Sequence, residues 1–266
     1  MTLRKARAIF AIFFQEGLAY RASGFIWIMT DLVTAVTMPL VWATASKAAM
    51  GPIAGYNIGD FVLYYLCMLL LSCFITSHIM WELATEIKEG QFTSALIRPV
   101  SFFQYTFFRN IAWRIIRPSL FAPVFVILLF AYRGYLQEAH VFMGWQFWVS
   151  VLCGHLVSFT FVYTMAMLAL FVQEAYSIFE LYYVPMLFLS GQLFPVDILP
   201  GWAQTIAKAF PFYYTTGFPT EVLVGRVKPD VAVSMIGIQL AWITGLYGLS
   251  RLLWSKGLRH YNGVGM

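Results

Sequence analysis

Long apolar runs separated by short polar stretches organise this chain. A bilayer core of about 30 Å needs roughly 20 apolar residues in a helix. Six stretches reach that length, at residues 22–46, 61–81, 112–132, 145–172, 176–194 and 231–254. Only the run QEAYSIFE separates the fourth from the fifth, which predicts a tight helical hairpin turning near Gln173 and Glu174.

Three shorter elements fall outside that pattern. Residues 3–18 place Leu3, Ala6, Ile9, Phe10, Phe13, Phe14 and Gly17 on one side of a helix, and Arg4, Lys5, Arg7, Gln15 and Glu16 on the other. This predicts an interfacial amphipathic helix within residues 1–21, serving either to anchor the first span or to bind a partner. Residues 82–110 carry an intermittent apolar stripe, Leu83, Ile87, Phe92, Leu96 and Ile97. Glu82, Glu86, Lys88, Glu89 and Arg98 are expected to face water. Gly90 should interrupt that helix and Pro99 should end it. Exposed Phe92 and Leu96 would then form a knob for a hydrophobic socket, unless the helix folds back on its own spans. The third element, residues 195–229, follows a proline-rich break. Pro195 and Pro200 block helix continuation, yet Trp202, Ile206, Ala209 and Phe210 recur at helical spacing before Pro211. That pattern predicts a re-entrant helical hairpin. Non-helical backbone at membrane depth is tolerated only where it is buried in protein or lines a wet cavity.

Composition places all of this in a membrane. The chain is 61% hydrophobic and 11% charged, against roughly 25% charged in soluble domains. The fold class expected is an all-α integral membrane protein, a single domain over residues 1–266. Cys67, Cys73 and Cys153 sit in apolar spans without metal-site spacing and read as packing residues, so no metal is expected. Arg4, Lys5 and Arg7 precede a helix with no small-residue cleavage site after it, so a signal peptide is not expected.

Charge orients the spans. With a cytoplasmic N-terminus, 12 of the 17 Lys and Arg residues fall on the cytoplasmic face. The positive-inside rule then puts both termini and the 82–110 segment in the cytoplasm, and the proline-rich hairpin outside. This asymmetry accounts for the net charge of +5 without a nucleic-acid partner.

The Glu89-x-Gly90-x-Phe92 run followed by Leu96, Arg98 and Pro99 resembles the membrane permease subunits of type-2 ABC exporters. So does Ser190-Gly191-x-x-Phe194-Pro195 with Leu199-Pro200-x-Trp202 and Pro211. The likeness covers nearly the whole chain, although many members carry a Glu where this chain has Thr93. It implies a dimer of six-span permeases in the bacterial inner membrane, formed with a second copy or a homologous permease and carrying an amphiphilic drug, lipid, glycolipid or polysaccharide. It further implies that Glu86, Glu89, Gly90, Phe92, Leu96, Arg98 and Pro99 couple to a cytosolic ABC ATPase, and that Arg4, Arg7, Phe10 and Phe14 lie on the interfacial helix. Gly191, Phe194, Pro195, Pro200, Trp202 and Phe210 would shape an outer gate. The sequence holds no G-x-x-x-x-G-K-[ST] loop, so ATP and Mg are expected on the partner and no cofactor or catalytic residue on this chain.

Charges at the bilayer centre cost on the order of 3 kcal/mol or more, so ionisable residues inside spans are informative. Asp31 lies at mid-depth, facing either the translocation path or a structural hydrogen bond; Tyr182 and Met186 are candidate path residues on the aromatic fifth span. His78 and His155 read as packing histidines, and Glu174 and Glu180 as solvated or partner-facing. Aromatic pairs near span ends, among them Tyr64 and Tyr65, Trp145 and Trp148, and Tyr213 and Tyr214, read as interface belts. Gly237, Ala241 and Gly245 form a small-residue stripe on the last span. An ion-coupled carrier or channel is the alternative, but it would need converging acids, a selectivity ring or internal repeats.

Overall fold

The computed structural model describes residues 3–19, 21–137, 139–172 and 175–261, without the side chains of residues 21–25, 27, 28, 30 and 31. Helices α1 (Leu3–Ala19) and α2 (Arg21–Ala48) are followed by α3 (Ile58–Ile75), α4 (Ile79–Lys88) and the single-turn α5 (Phe92–Leu96). Then come α6 (Phe102–Tyr132), α7 (Trp145–Ala166), α8 (Ala175–Leu189), α9 (Gly201–Ala209), α10 (Gly217–Leu223) and α11 (Pro229–Gly257). The described residues hold one isolated bridge, Ile53 with Tyr56, and no sheet.

Among the described residues, four helical stretches are long and apolar enough to cross a membrane: Ile58–Lys88, Phe102–Tyr135, Trp145–Leu170 and Pro229–Gly257. Helix α8 is apolar but only 15 residues long, about 22 Å at 1.5 Å per residue. The boundaries differ from expectation in three places. The second span runs on to Lys88 through a break at residues 76–78. The third begins at Phe102 because Ser101 caps it, its hydroxyl accepting from the Gln104 amide at 3.3 Å. The 82–110 loop is therefore mostly helix, and Arg109, Arg114 and Arg117 sit on α6. The fifth span stops at Leu189 rather than residue 194.

Burial sorts the spans. The apolar windows of Ile58–Lys88 and Trp145–Leu170 are 67% buried, against 22% for Phe102–Tyr135 and Pro229–Gly257. The first two form the centre and the other two its flanks. Asn57 and Asp60 start α3 with a reciprocal capping box, each bond 2.9 Å. On α7, a Cβ at Gly154 would lie 2.5 Å from the Thr215 carbonyl, so only glycine lets the 210–216 turn approach this closely. Gln239 of α11 closes the contact, its amide donating to Ser150 O at 3.0 Å and Tyr214 O at 2.8 Å.

Candidate functional site

The break after α8 is set by backbone geometry as well as by proline. Gly191 adopts φ +81°, which side chains rarely tolerate. Pro195 and Pro200 then cap a short turn, Val196–Ile198, and α9. A broken helix exposes carbonyls, and tyrosines of α3 and its lead-in take them up. The Tyr64 hydroxyl donates to Gly191 O at 2.9 Å and that of Tyr65 to Leu193 O at 2.7 Å. Tyr65 in turn accepts from the Trp42 indole at 2.9 Å. Tyr56 donates to both Asp197 carboxylate oxygens, at 2.9 and 3.0 Å. Arg226 lies 3.6 Å from the Tyr56 ring centroid and donates to Gly55 O at 2.8 Å. The Gln204 amide closes the turn by donating to Asp197 O and Leu199 O.

The belt expectation is corrected for four of these tyrosines. Trp145 and Trp148 are exposed, but Tyr64, Tyr65, Tyr213 and Tyr214 are at most 1% exposed. Tyr64 and Tyr65 satisfy carbonyls that the break leaves bare, Tyr214 donates to Lys208 O at 3.0 Å, and Tyr213 donates to a side-chain carboxylate. Of the gate residues, Gly191 and Pro195 are buried, and Phe194 sits edge-on to Trp42 at 6.2 Å. Trp202 and Phe210 project outward, 71% and 47% exposed.

Sequence reading missed Glu221. It lies on α10, outside the four candidate spans, and is 3% exposed. Its Oε2 accepts from the Tyr213 hydroxyl at 2.5 Å, while Oε1 has no hydrogen-bond partner among the described residues. Burial, reinforced by Asp197, pushes its carboxyl up to about 7, against the opposing pull of the Tyr213 bond and Lys208. One acid inside the run GFPTEVL was the available signal.

A cavity of about 80 Å³ opens below the break between α2, α3, α6 and α8. Met186 lines it together with Tyr183, Ser72, Thr76, His78 and Arg117. Tyr182 does not. Its ring stacks on Phe161 and meets Phe212, at 5.1 and 5.6 Å. The side chain of Asp31, and Glu174 altogether, lie outside the described residues. Glu180 is exposed.

At residues 76–78 the second span breaks without glycine or proline. Arg114 donates to Thr76 O, the His155 Nδ1–H to Ile75 O at 3.3 Å, the Ser77 amide to Ser158 Oγ at 2.9 Å, and the Asn110 amide to Ser77 Oγ at 2.6 Å. Side chains of α6 and α7 thus replace the lost helical bonds, as apolar surroundings require. His155 is here a structural donor.

Beyond that hinge α4 ends at an elbow. Gly90 takes φ +77°, α5 follows, and residues 97–101 lead into α6. The exposed-knob expectation is corrected for Phe92, which is fully buried against Phe102, Trp254 and Tyr261 with centroids 5.0 to 5.6 Å away. Leu96 and Ile97 are the outward apolar residues, 39% and 82% exposed. Glu86 does not simply face water. It pairs with Arg109, which also meets Glu82 at 2.8 Å. Glu89 accepts from Gln91, Arg98 stacks 4.4 Å over Tyr105, and Pro99 O accepts from Lys5. Helix α1 packs along α6, with Phe13 under Arg109 and edge-on to Tyr105, and Gly17 against Ile116. Arg4 and Arg7 are exposed; Phe10 and Phe14 are half-buried and stack on one another.

The chain matches the family model described as ABC-2 family transporter protein over residues 32–265. No curated protein matches it.

Proposed function

Because the chain belongs to the ABC-2 transporter family, whose members are membrane transport subunits, and is a multi-pass membrane protein, we propose that it is the permease of an ATP-driven exporter. In this reading it forms half of a dimeric path for an amphiphilic substrate in the bacterial inner membrane. It spans six times, α2 and α8 being the two further crossings, with both termini cytoplasmic. A separate cytosolic ABC ATPase binds ATP and Mg and docks at the α4–α5 elbow through Leu96 and Ile97. Helix α1 is the interfacial helix, and residues 190–223 are the outer gate.

The observation that carries this reading is the double attachment of one element. The Ile58–Lys88 stretch holds the broken segment at one end through Tyr64 and Tyr65, and leads at the other into the Gly90 elbow. The hinge at residues 76–78 divides the two. Movement imposed on the elbow by a nucleotide-driven partner would reach the hairpin through a single bent helix, and the cavity containing Met186 lies between them. The chemistry asked of this chain is mechanical: it opens and closes a route and hydrolyses nothing.

Co-expression with candidate ABC ATPases tests the docking. The Leu96→Asp, Ile97→Asp double variant should fold normally and lose ATPase co-purification at least tenfold. Undiminished co-purification would sink the elbow assignment. Phe92→Asp would not serve, since charging a fully buried ring site unfolds the region it is meant to probe.

A further inference from the structure

Helix α10 is buried along its whole length, and Glu221 is its one ionisable residue. Each element packed against α10 contributes to its surroundings. Asp197 faces it from the broken segment, Lys208 from α9, Tyr213 from the 210–216 turn, and Tyr64 and Tyr56 from α3 and its lead-in. Cys153 of α7 and Cys67 of α3 lie in the same apolar cluster as Tyr213 and Val222. In this enclosure the Tyr213 hydroxyl donates to Oε2 at 2.5 Å and the Val196 backbone amide also bonds the carboxyl, while Oε1 is buried with no side-chain or close backbone partner among the described residues. A carboxylate needs several donors to offset the loss of water, whereas the neutral acid loses far less.

The same helix touches the break. Its N-cap Thr216 donates to Ser190 O at 3.5 Å, and Gly217 lies so close that a Cβ there would be 2.5 Å from that carbonyl. A negative charge on Glu221 would act directly on Asp197, the residue through which Tyr56 holds the segment.

We propose that Glu221 is a proton-binding site that latches the hairpin: the carboxylic acid fits the enclosure, and its ionisation loosens residues 190–200 from α3. The latch rests on the hairpin being part of the transport path; the proton site does not. The folded protein binds this proton more tightly than the unfolded chain, so the stability it contributes is full below the ordinary carboxyl range near 4.5 and declines as pH rises through about 7.

Infrared spectroscopy of the protein in lipid nanodiscs, titrated from about pH 5 to 9, reads the site directly. A protonated-carboxyl band that fades near neutrality and is missing from Glu221→Gln is expected. A band that persists in Glu221→Gln, or titrates with ordinary carboxylates, overturns the site. Tyr213→Phe removes the hydroxyl that donates to Oε2 and should move the midpoint upward; an unmoved midpoint counts against the assignment. The latch has its own readout. The melting temperature should fall across this pH window in the wild type and stay level in Glu221→Gln, and the same slope in both overturns the latch. Export that keeps its wild-type pH profile in Glu221→Gln, beside a titrating band, leaves the proton site standing and overturns the hairpin's role in transport.

Discussion

Among the described residues two apolar helices break, and they break by different means. The break at residues 190–200 is written locally: Gly191 supplies the left-handed turn, and Pro195 and Pro200 prevent resumption until α9. The break at residues 76–78 reads Thr-Ser-His, which has no such instruction. It exists because Asn110, Arg114, His155 and Ser158 of neighbouring helices offer better partners than the continuing helix would. Proline alone decides neither. Pro39, Pro118, Pro123 and Pro185 all sit inside helices. A locally encoded break fixes where the chain turns, whereas one made by distant side chains can be remade when those side chains move. In the proposed function that distinction gives the 76–78 segment the part of hinge and the 190–200 segment the part of a plug whose turn is preset.

The sharpest way to disturb the local break is Gly191→Ala. The new Cβ would lie 2.6 Å from the Tyr64 hydroxyl, in a backbone conformation side chains rarely adopt. Strain and the lost hydrogen bond together should cost about 3 kcal/mol, read as a lowered melting temperature in detergent or nanodiscs. A loss under 1 kcal/mol would mean that the plug is not held as described. Asn110→Leu should disturb the distant break by about 2 kcal/mol, because the buried Ser77 hydroxyl loses its donor. It should also raise hydrogen exchange around residues 76–78 while leaving 190–200 unchanged. Equal effects at both places would erase the distinction. Tyr65→Phe is the mildest change, about 1 kcal/mol, since Leu193 O and the Trp42 indole each lose one partner.

The same contrast explains what was legible in the sequence. Apolar periodicity located most of the long helices, and the glycine and prolines located the hairpin, since these signals act on the chain where they are written. The tyrosine ties, the hinge and Glu221 depend on which helices become neighbours. Tyr64 and Tyr65 near a span end look like belt residues until a bare carbonyl is placed beside each. Phe92 looked like a protruding knob because its burial is supplied by Trp254 and Tyr261, more than 160 positions away. The outward residues next to it, Leu96 and Ile97, were already in the predicted stripe. Of the small-residue stripe on α11, neither Gly237 nor Gly245 has anything within 4 Å of where a Cβ would stand, so the stripe faces outward and not into this chain.

One bent element, Ile58–Lys88, joins the elbow to the hairpin, and the proposed function requires it to carry movement between them. Hydrogen exchange on the permease and its ATPase reconstituted in nanodiscs, with and without a non-hydrolysable ATP analogue, tests it most directly. Nucleotide should change protection at the elbow, at residues 76–78 and at residues 190–200 together. A change confined to the elbow, with the hinge and hairpin unaltered, would contradict it.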